Sequence, residues 1–342
     1  MEAYLYNTIE NRKVKCHLCH HRCRIKDGHR GICGVRENNG GTLRTRVYNK
    51  LIARHIDPIE KKPLFHFLPG SRTYSVATVG CNFKCRFCQN ADIAQMPADR
   101  NGAIAGTDTT VRQEVDAAVA AGCQSIAYTY TEPTVFFEWA HDMARQARAA
   151  GIRNVFVTNG YMTPEAVTRI APFLDAANVD LKAFNDDFYK KMCGARLAPV
   201  LETLRAMKAA GIFLEVTTLL IPGRNDAPEE LEKLATFIAN DLGVDTPWHI
   251  SRFHPTYRLT DTPVTPADAL TAARRIGQDA GLRYVYTGNI PGDDGENTYC
   301  HQCGQAVIKR WGFSITGYAI DNGHCRHCGT PVAGIGMVRS RR

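Results

Sequence analysis

The sequence predicts an α/β fold, a TIM-like partial (β/α)6 barrel with a small cysteine-rich metal-binding module at each end. Three observations predict it. Strand and helix patterns alternate over roughly 220 residues in the middle of the chain, which implies a mostly parallel sheet, open or curled into a barrel. Eleven of the 13 cysteines fall into three tight groups, two of them outside the alternating region. Polar motifs recur where the expected strands end, and parallel α/β sheets bind their ligands at the carboxyl ends of strands.

The chain divides into 1–46, 47–292 and 293–342. The first segment is rich in Cys, His and Arg, and the turn-forming Asn38-Asn39-Gly40-Gly41 marks a boundary near its end. Pro291-Gly292-Asp293-Asp294-Gly295 marks the second boundary. Between them, strands are expected at 74–79, 124–130, 154–158, 177–181, 213–220, 248–253 and 282–286. Amphipathic, Ala-rich helices are expected at 110–121, 135–150, 163–173, 199–210 and 228–240. Asp108 and Thr109 are the expected N-caps of the first helix, and Gly122 and Gly151 are expected helix stops.

Apolar residues make up 44% of the chain and charged residues 22%, as in a soluble domain with a packed core. No run of 18 or more apolar residues is present, and the start MEAYLYNTIENRKVKC lacks the basic-then-apolar form of a signal peptide. A cytoplasmic protein is expected. In that compartment closely spaced cysteines point to metal rather than to disulfides. The formal charge is +8 with neutral thiols. A cluster on three thiolates carries about −1 and a zinc on four about −2, so the chain with all three sites filled carries about +3. That removes most of the charge argument for a nucleic-acid partner.

Directly after the first barrel strand comes Gly80-Cys81-Asn82-Phe83-Lys84-Cys85-Arg86-Phe87-Cys88, a CxxxCxxC run. Three thiolates close in sequence wrap one corner of a cubane and leave its fourth iron open to a ligand. By itself the run also suits zinc with a fourth ligand elsewhere. Its position after a strand, with an aromatic before the third cysteine, resembles the radical S-adenosylmethionine (radical SAM) superfamily signature. That resemblance implies that Cys81, Cys85 and Cys88 hold a 4Fe–4S cluster whose open iron is chelated by S-adenosylmethionine. Reductive cleavage then yields a 5′-deoxyadenosyl radical that removes hydrogen from a substrate.

Later strand ends supply candidate cofactor contacts. Glu132, in Tyr130-Thr131-Glu132-Pro133, is suited to an ammonium group, although superfamily members commonly have Gly-Gly-Glu here. Asn159 follows the third strand in Val157-Thr158-Asn159-Gly160. Asp180-Leu181-Lys182 puts both charged side chains on one strand face. It resembles the glycyl-radical-enzyme activating branch, whose Asp-Leu-Lys serves the methionyl end, though that branch has Asp where this chain has Val157. The resemblance also places Ile221 against adenine, His254 near the cofactor and Phe87, in the cluster loop, among the cofactor-binding residues.

The tail, Cys300-x2-Cys303-x21-Cys325-x2-Cys328, is a pair of knuckles at zinc-ribbon spacing, with Gly304 and Gly329 after them for the tight turns. A second cluster is the alternative. Cys16-x2-Cys19-x3-Cys23-x9-Cys33 is less regular, with His17, His20 and His21 as possible substitutes. Zinc is expected there, with an auxiliary cluster as the alternative. Cys123 and Cys193 read as buried thiols, Cys193 with some reactive character from Lys191 and Arg196.

Over nearly its whole length the chain resembles the radical SAM member of the AmmeMemoRadiSam system. The resemblance rests on Cys16 to Cys23, Gly31 to Arg36, Asp57 to His66, the cluster motif, Tyr130 to Thr134, Trp248 to Pro255 and Gly292 to Cys303 with the tail. It implies partners of the Memo and AMMECR types and an electron donor such as flavodoxin or ferredoxin, but no particular substrate. Two other readings stay open: an activase that places a glycyl radical on a partner enzyme, and a zinc-ribbon nucleic-acid-binding protein using Lys309, Arg310, Trp311, Arg339, Arg341 and Arg342.

Overall fold

In the computed structural model, which describes residues 1–290 and 292–338, the alternating region forms one eight-stranded sheet. Its strands are β1 (Ala53–Pro58), β2 (Arg72–Ala77), β3 (Ser125–Tyr128), β4 (Arg153–Thr158), β5 (Ala176–Asp180), β6 (Phe213–Leu220), β7 (Trp248–Arg252) and β8 (Val285–Gly288). Strands β2 to β8 pair in parallel in chain order, and β1 lies antiparallel on the β2 edge. The β8 edge does not pair back to β1, so the barrel is partial.

One main helix crosses between each successive parallel pair, as parallel connections require. These are α1 (Val111–Ala120), α2 (Phe137–Ala149), α3 (Pro164–Ile170), α4 (Leu197–Ala209), α5 (Pro228–Phe237) and α6 (Ala267–Asp279). The expected (β/α)6 architecture is present. Gly122 and Gly151 do end helices, with φ of +65° and +77°. The first N-cap is corrected. Thr110 caps α1 in a reciprocal capping box with Gln113, while Thr109 donates to Glu114 and Asp108 pairs in a short strand with Lys50. The last strand starts later than expected, because Leu282 N and Arg283 N are spent on Gly277 O and Val244 O. The β3 strand stops at Tyr128, and Tyr130, with φ +63°, turns away from extended backbone.

Asn38 to Gly41 is not a boundary. Strands Arg36–Asn39 and Thr42–Thr45 form a hairpin around Gly40-Gly41, both at positive φ, the turn geometry that matches strand twist. Val14, Leu18, Val35 and Leu43 of this N-terminal region share one apolar core with the barrel. Buried Arg36 is paired with buried Glu138 of α2. Pro291 and the basic end Arg339, Arg341 and Arg342 lie outside the described residues.

The segment between β1 and β2 fills the amino end of the barrel. Ile59, Leu64 and Phe67 pack on Ala127, Val155 and Ala176, which the strand register sets in one row. Asn178 Nδ2 donates to Pro63 O at 2.7 Å. Glu215, fully buried on β6, accepts from Phe65 N (3.0 Å), His66 N (2.8 Å) and His249 Nε2 (2.7 Å). The tail docks on this plug. Arg310 donates to Phe65 O at 2.9 Å and to Thr298 Oγ1 at 2.8 Å, with its guanidinium 4.1 Å from the Phe65 ring centroid. Arg310 is therefore a buried anchor rather than part of a basic surface stripe.

His66 is buried between Ala333 O (2.6 Å) and the Tyr286 hydroxyl (2.5 Å). Burial pushes its pKa down to about 4. Between that value and about 6.5 the unfolded chain binds a proton that the folded chain does not. Stability present above pH 6.5 is therefore lost as pH falls toward 4. The expected loss is on the order of 3 kcal/mol from this residue. It should appear as a difference in the pH slope of urea-unfolding free energy between wild type and His66→Gln; equal slopes would refute it.

Candidate active site

The cysteine triad sits on the loop after β2, at the carboxyl end of the sheet. Gly80 turns the chain out of the strand at φ +102°, and a Cβ there would stand 2.6 Å from Val35 Cγ1. The loop is braced by its neighbours. Lys84 N and Arg86 N donate to Cys193 O (2.7 Å) and Met192 O (2.9 Å), and Gln95 Nε2 donates to Phe83 O at 2.9 Å. Phe83 N donates to Cys81 Sγ at 3.3 Å.

Two strand ends meet this loop. After β3, Glu132 is buried and engaged by donors of its own chain, three on Oε1 and one on Oε2. Its Oε1 accepts from Thr134 N (3.0 Å), Thr134 Oγ1 (2.5 Å) and Thr158 Oγ1 (2.7 Å), and its Oε2 from Asn159 N (2.8 Å). A carboxylate oxygen accepts about two hydrogen bonds, so Oε2 keeps one acceptor direction. Glu132, expected from the sequence to receive an ammonium, here clamps the end of β3 to the end of β4. Burial raises its pKa while these donors oppose the rise. Asn159 Nδ2 passes the clamp on to the loop, donating to Asn82 Oδ1 at 2.8 Å and lying 3.8 Å from Cys81 Sγ.

After β5, Lys182 Nζ pairs with Asp180 at 2.8 Å and lies 5.8 Å from the Phe87 ring centroid. Phe87 packs on Phe188 at 5.8 Å. Asn225 Nδ2 donates to Lys182 O at 2.6 Å, and Asn225 Oδ1 accepts from buried Ile221 N at 2.7 Å. Ile221 is thus tied to the Lys182 turn through Asn225. His254 lies beyond β7 and is exposed. The structure brings Glu132, Asn159, Lys182, Asp180 and Phe87 around the triad and leaves His254 on the surface.

Burial above all raises the thiol pKa of Cys81 and of Cys88, the latter to about 11. For Cys85 the adjoining Cys193 thiol is the larger cause, with burial second. Lys182 pulls Cys85 and Cys88 the other way. Cys193 is fully buried, and Lys191 and Arg196 face Asp187 (3.4 Å) and Asp186 (2.9 Å) rather than its sulfur.

Sequence reasoning missed a buried ion pair beside this site. Lys62, 2% exposed, holds Asp57 at 2.7 Å and lies 4.4 Å from the Tyr130 ring centroid, while the Tyr130 hydroxyl donates to Asp57. Burial lowers the Lys62 pKa to about 8 against the pull of Asp57. The signal was a charged run, Asp57 to Lys62, leading into apolar Leu64-Phe65.

The flanking cysteines differ in geometry. In the tail, Cys300 and Cys328 sulfurs lie 3.5 Å apart and Cys303 and Cys325 sulfurs 3.8 Å apart. A tetrahedral zinc with Zn–S of about 2.3 Å sets thiolates about 3.8 Å apart. Gly304 and Gly329 adopt φ of +71° and +76°, as the knuckle turns need. Among the described residues this is the one group of three or more potential ligands whose atoms all lie within 4.8 Å of one another. The triad is more widely spread, which suits separate corners of a cubane better than one ion. Cys16, Cys19, Cys23 and Cys33 line one small cavity without closing on one point.

A profile of the radical SAM superfamily matches residues 75–238. An uncharacterized protein of Methanocaldococcus jannaschii is 45% identical over 97% of this chain and 98% of its own. The pyruvate formate-lyase-activating enzyme of Listeria monocytogenes is 22% identical, over 50% of this chain and 70% of its own. A radical SAM methyltransferase from Sphaerobacter thermophilus has a similar fold, with a TM-score of 0.50 at 18% identity, covering 67% of this chain and 71% of its own.

The clamp at Glu132 can be tested directly. Glu132→Gln puts an amide NH2 among four donors, with an expected cost of about 2–4 kcal/mol in chemical denaturation. An unchanged midpoint and slope would show that Glu132 does not hold the two strand ends together.

Proposed function

Since this chain belongs to the radical SAM superfamily, we propose that it is an enzyme that generates a 5′-deoxyadenosyl radical and uses it to abstract hydrogen from a substrate. The observation that carries this reading is the placement of Cys81, Cys85 and Cys88 on one braced loop at the carboxyl end of the sheet, spread too widely for a single ion. The superfamily implies a 4Fe–4S cluster and S-adenosylmethionine, which together supply one-electron cleavage of a sulfonium carbon–sulfur bond. Those three cysteines would hold the cluster.

The remaining roles belong to the chain. Lys182, held by Asp180, offers the ammonium that a carboxylate ligand needs. Glu132 and Asn159 position the loop, and the acceptor direction left on Glu132 Oε2 suits an ammonium group. Ile221, which the resemblance places against a purine, is fully buried in the apolar core, so it would back such a pocket rather than line it. The plug of 59–68 blocks the amino end of the barrel, so substrate and cofactor enter from the carboxyl end. We assign the tail cysteines to structural zinc. The wider resemblance supports membership of the AmmeMemoRadiSam group, with Memo-type and AMMECR-type partners and a flavodoxin- or ferredoxin-like donor. Among the described residues no helix is long and apolar enough to cross a membrane.

A second reading, a glycyl-radical activase, is favoured by the likeness to pyruvate formate-lyase-activating enzyme and by the Asp180–Lys182 pair. A glycyl EPR signal on a candidate partner enzyme would select it. The nucleic-acid reading loses Arg310, which is buried against the barrel.

Anaerobically reconstituted protein given dithionite and S-adenosylmethionine should release 5′-deoxyadenosine, and Cys85→Ala should release only background. No product from wild type, or equal product from the variant, sinks the reading. Lys182→Met should raise the KM for S-adenosylmethionine about 10- to 100-fold through loss of a charged hydrogen bond. Cys300→Ser should lose about one zinc per chain, read by metal analysis.

A further inference from the structure

We propose that the N-terminal cavity holds a second 4Fe–4S cluster on Cys16, Cys19, Cys23 and Cys33, which passes electrons through His21 to the cluster on Cys81, Cys85 and Cys88. The relay rests on the reading above; the second cluster does not.

The ligand set is defined by elimination among the nearby groups. All four cysteines line the same cavity. His17 and His20 do not line it, His17 being engaged at both ring nitrogens with Asn7 and with Arg22 at 3.0 Å, and His21 spends its Nε2 on Asn82 O at 2.8 Å. Four sulfurs remain as the donor set.

Their spacing chooses between the two metals. The tail quartet is already drawn to the size of a zinc tetrahedron, whereas no three of the N-terminal sulfurs come within 4.8 Å of one another. They stand instead around a small cavity that all four line. A cubane takes one thiolate at each corner, so its ligands stand around a volume rather than around a point. The lining suits such a group. Leu18, Ile25 and Val135 line it with apolar groups, and Arg36, held by buried Glu138, donates to Cys16 Sγ at 3.1 Å, as a cluster sulfur ligand accepts.

This cavity abuts the active-site loop. His21 lines it, and His21 Nε2 is 2.8 Å from Asn82 O, the carbonyl of the residue after Cys81. On the other side, the Cys33 carbonyl oxygen lies 3.2 Å from where a Cβ of residue 80 would be. Gly80 thus allows the two cysteine loops to touch. One imidazole and one peptide unit separate the ligand sets. Ile32, beside Cys33 in the cavity wall, is 47% exposed, so the cavity wall reaches the protein surface.

One electron moves at a time. A flavodoxin- or ferredoxin-class donor is oxidised, the N-terminal cluster goes from 2+ to 1+, and it returns to 2+ as the active-site cluster is reduced. No bond forms or breaks, and His21 moves no proton.

The test uses the full chain. A Cys81→Ala/Cys85→Ala/Cys88→Ala variant leaves the N-terminal cavity untouched. After anaerobic reconstitution it should keep about four irons and four acid-labile sulfides and give a reduced-cluster EPR signal. Zinc in that variant without labile sulfide overturns the second cluster, whatever the wild type does with S-adenosylmethionine. Wild type that keeps both clusters but releases no 5′-deoxyadenosine sinks the function instead. For the relay, His21→Phe should keep its iron, while the ratio of flavodoxin-driven to dithionite-driven 5′-deoxyadenosine formation falls at least tenfold. An unchanged ratio, or a reduced wild-type EPR spectrum equal to the sum of the single-cluster spectra, overturns the electronic contact.

Discussion

The fully buried carboxylate of Glu215 is the constraint on which the architecture turns. An open half-barrel exposes interior polar groups at its amino end, and Glu215 is one of them. It is satisfied by the backbone N–H groups of Phe65 and His66 and by the His249 ring. Those bonds hold the 59–68 segment inside the sheet. From His66 the network runs to Tyr286 and Thr298, and from Thr298 to Arg310 of the tail. One buried charge thus couples the sheet, its plug and the C-terminal module. A half-satisfied network of this kind would cost more than an apolar core, so its members stand or fall together.

With the amino end closed, chemistry is confined to the carboxyl end, where the strands deliver their loops. There the polar groups are mostly spent on one another. Glu132 holds two strand ends, Asn159 holds the cysteine loop, and Asn225 ties Ile221 to the Lys182 turn. Burial raises the pKa of the Cys81 and Cys88 thiols, so a metal bound there would displace their protons. The loop is shaped in advance, while its charge is set by loading.

Much of this was legible in the sequence because it rests on local spacing. Strand–helix alternation, the glycine stops, the tail knuckles and the triad depend on residues within a few positions of one another. What sequence reasoning misread depended on partners far away. Asn38 to Gly41 looked like a linker but closes a hairpin, since a two-glycine turn serves both purposes. Arg310 looked like a surface cation until its partners, Phe65 and Thr298, were in place. Arg36 and Glu138 lie 102 positions apart and show no pairing signal in one sequence.

The sequence by itself determined the fold class, the cysteine groups and the residue types at the strand ends, because periodicity and ligand spacing are properties of contiguous chain. Only the tertiary structure decided which of those residues meet. It placed Glu132 in a clamp, brought Cys193 against Cys85, and set the N-terminal cysteines around a cavity beside the triad. Such contacts follow from which strand pairs with which and from what must be buried between them. That is a three-dimensional packing condition, which no run of neighbouring residues encodes.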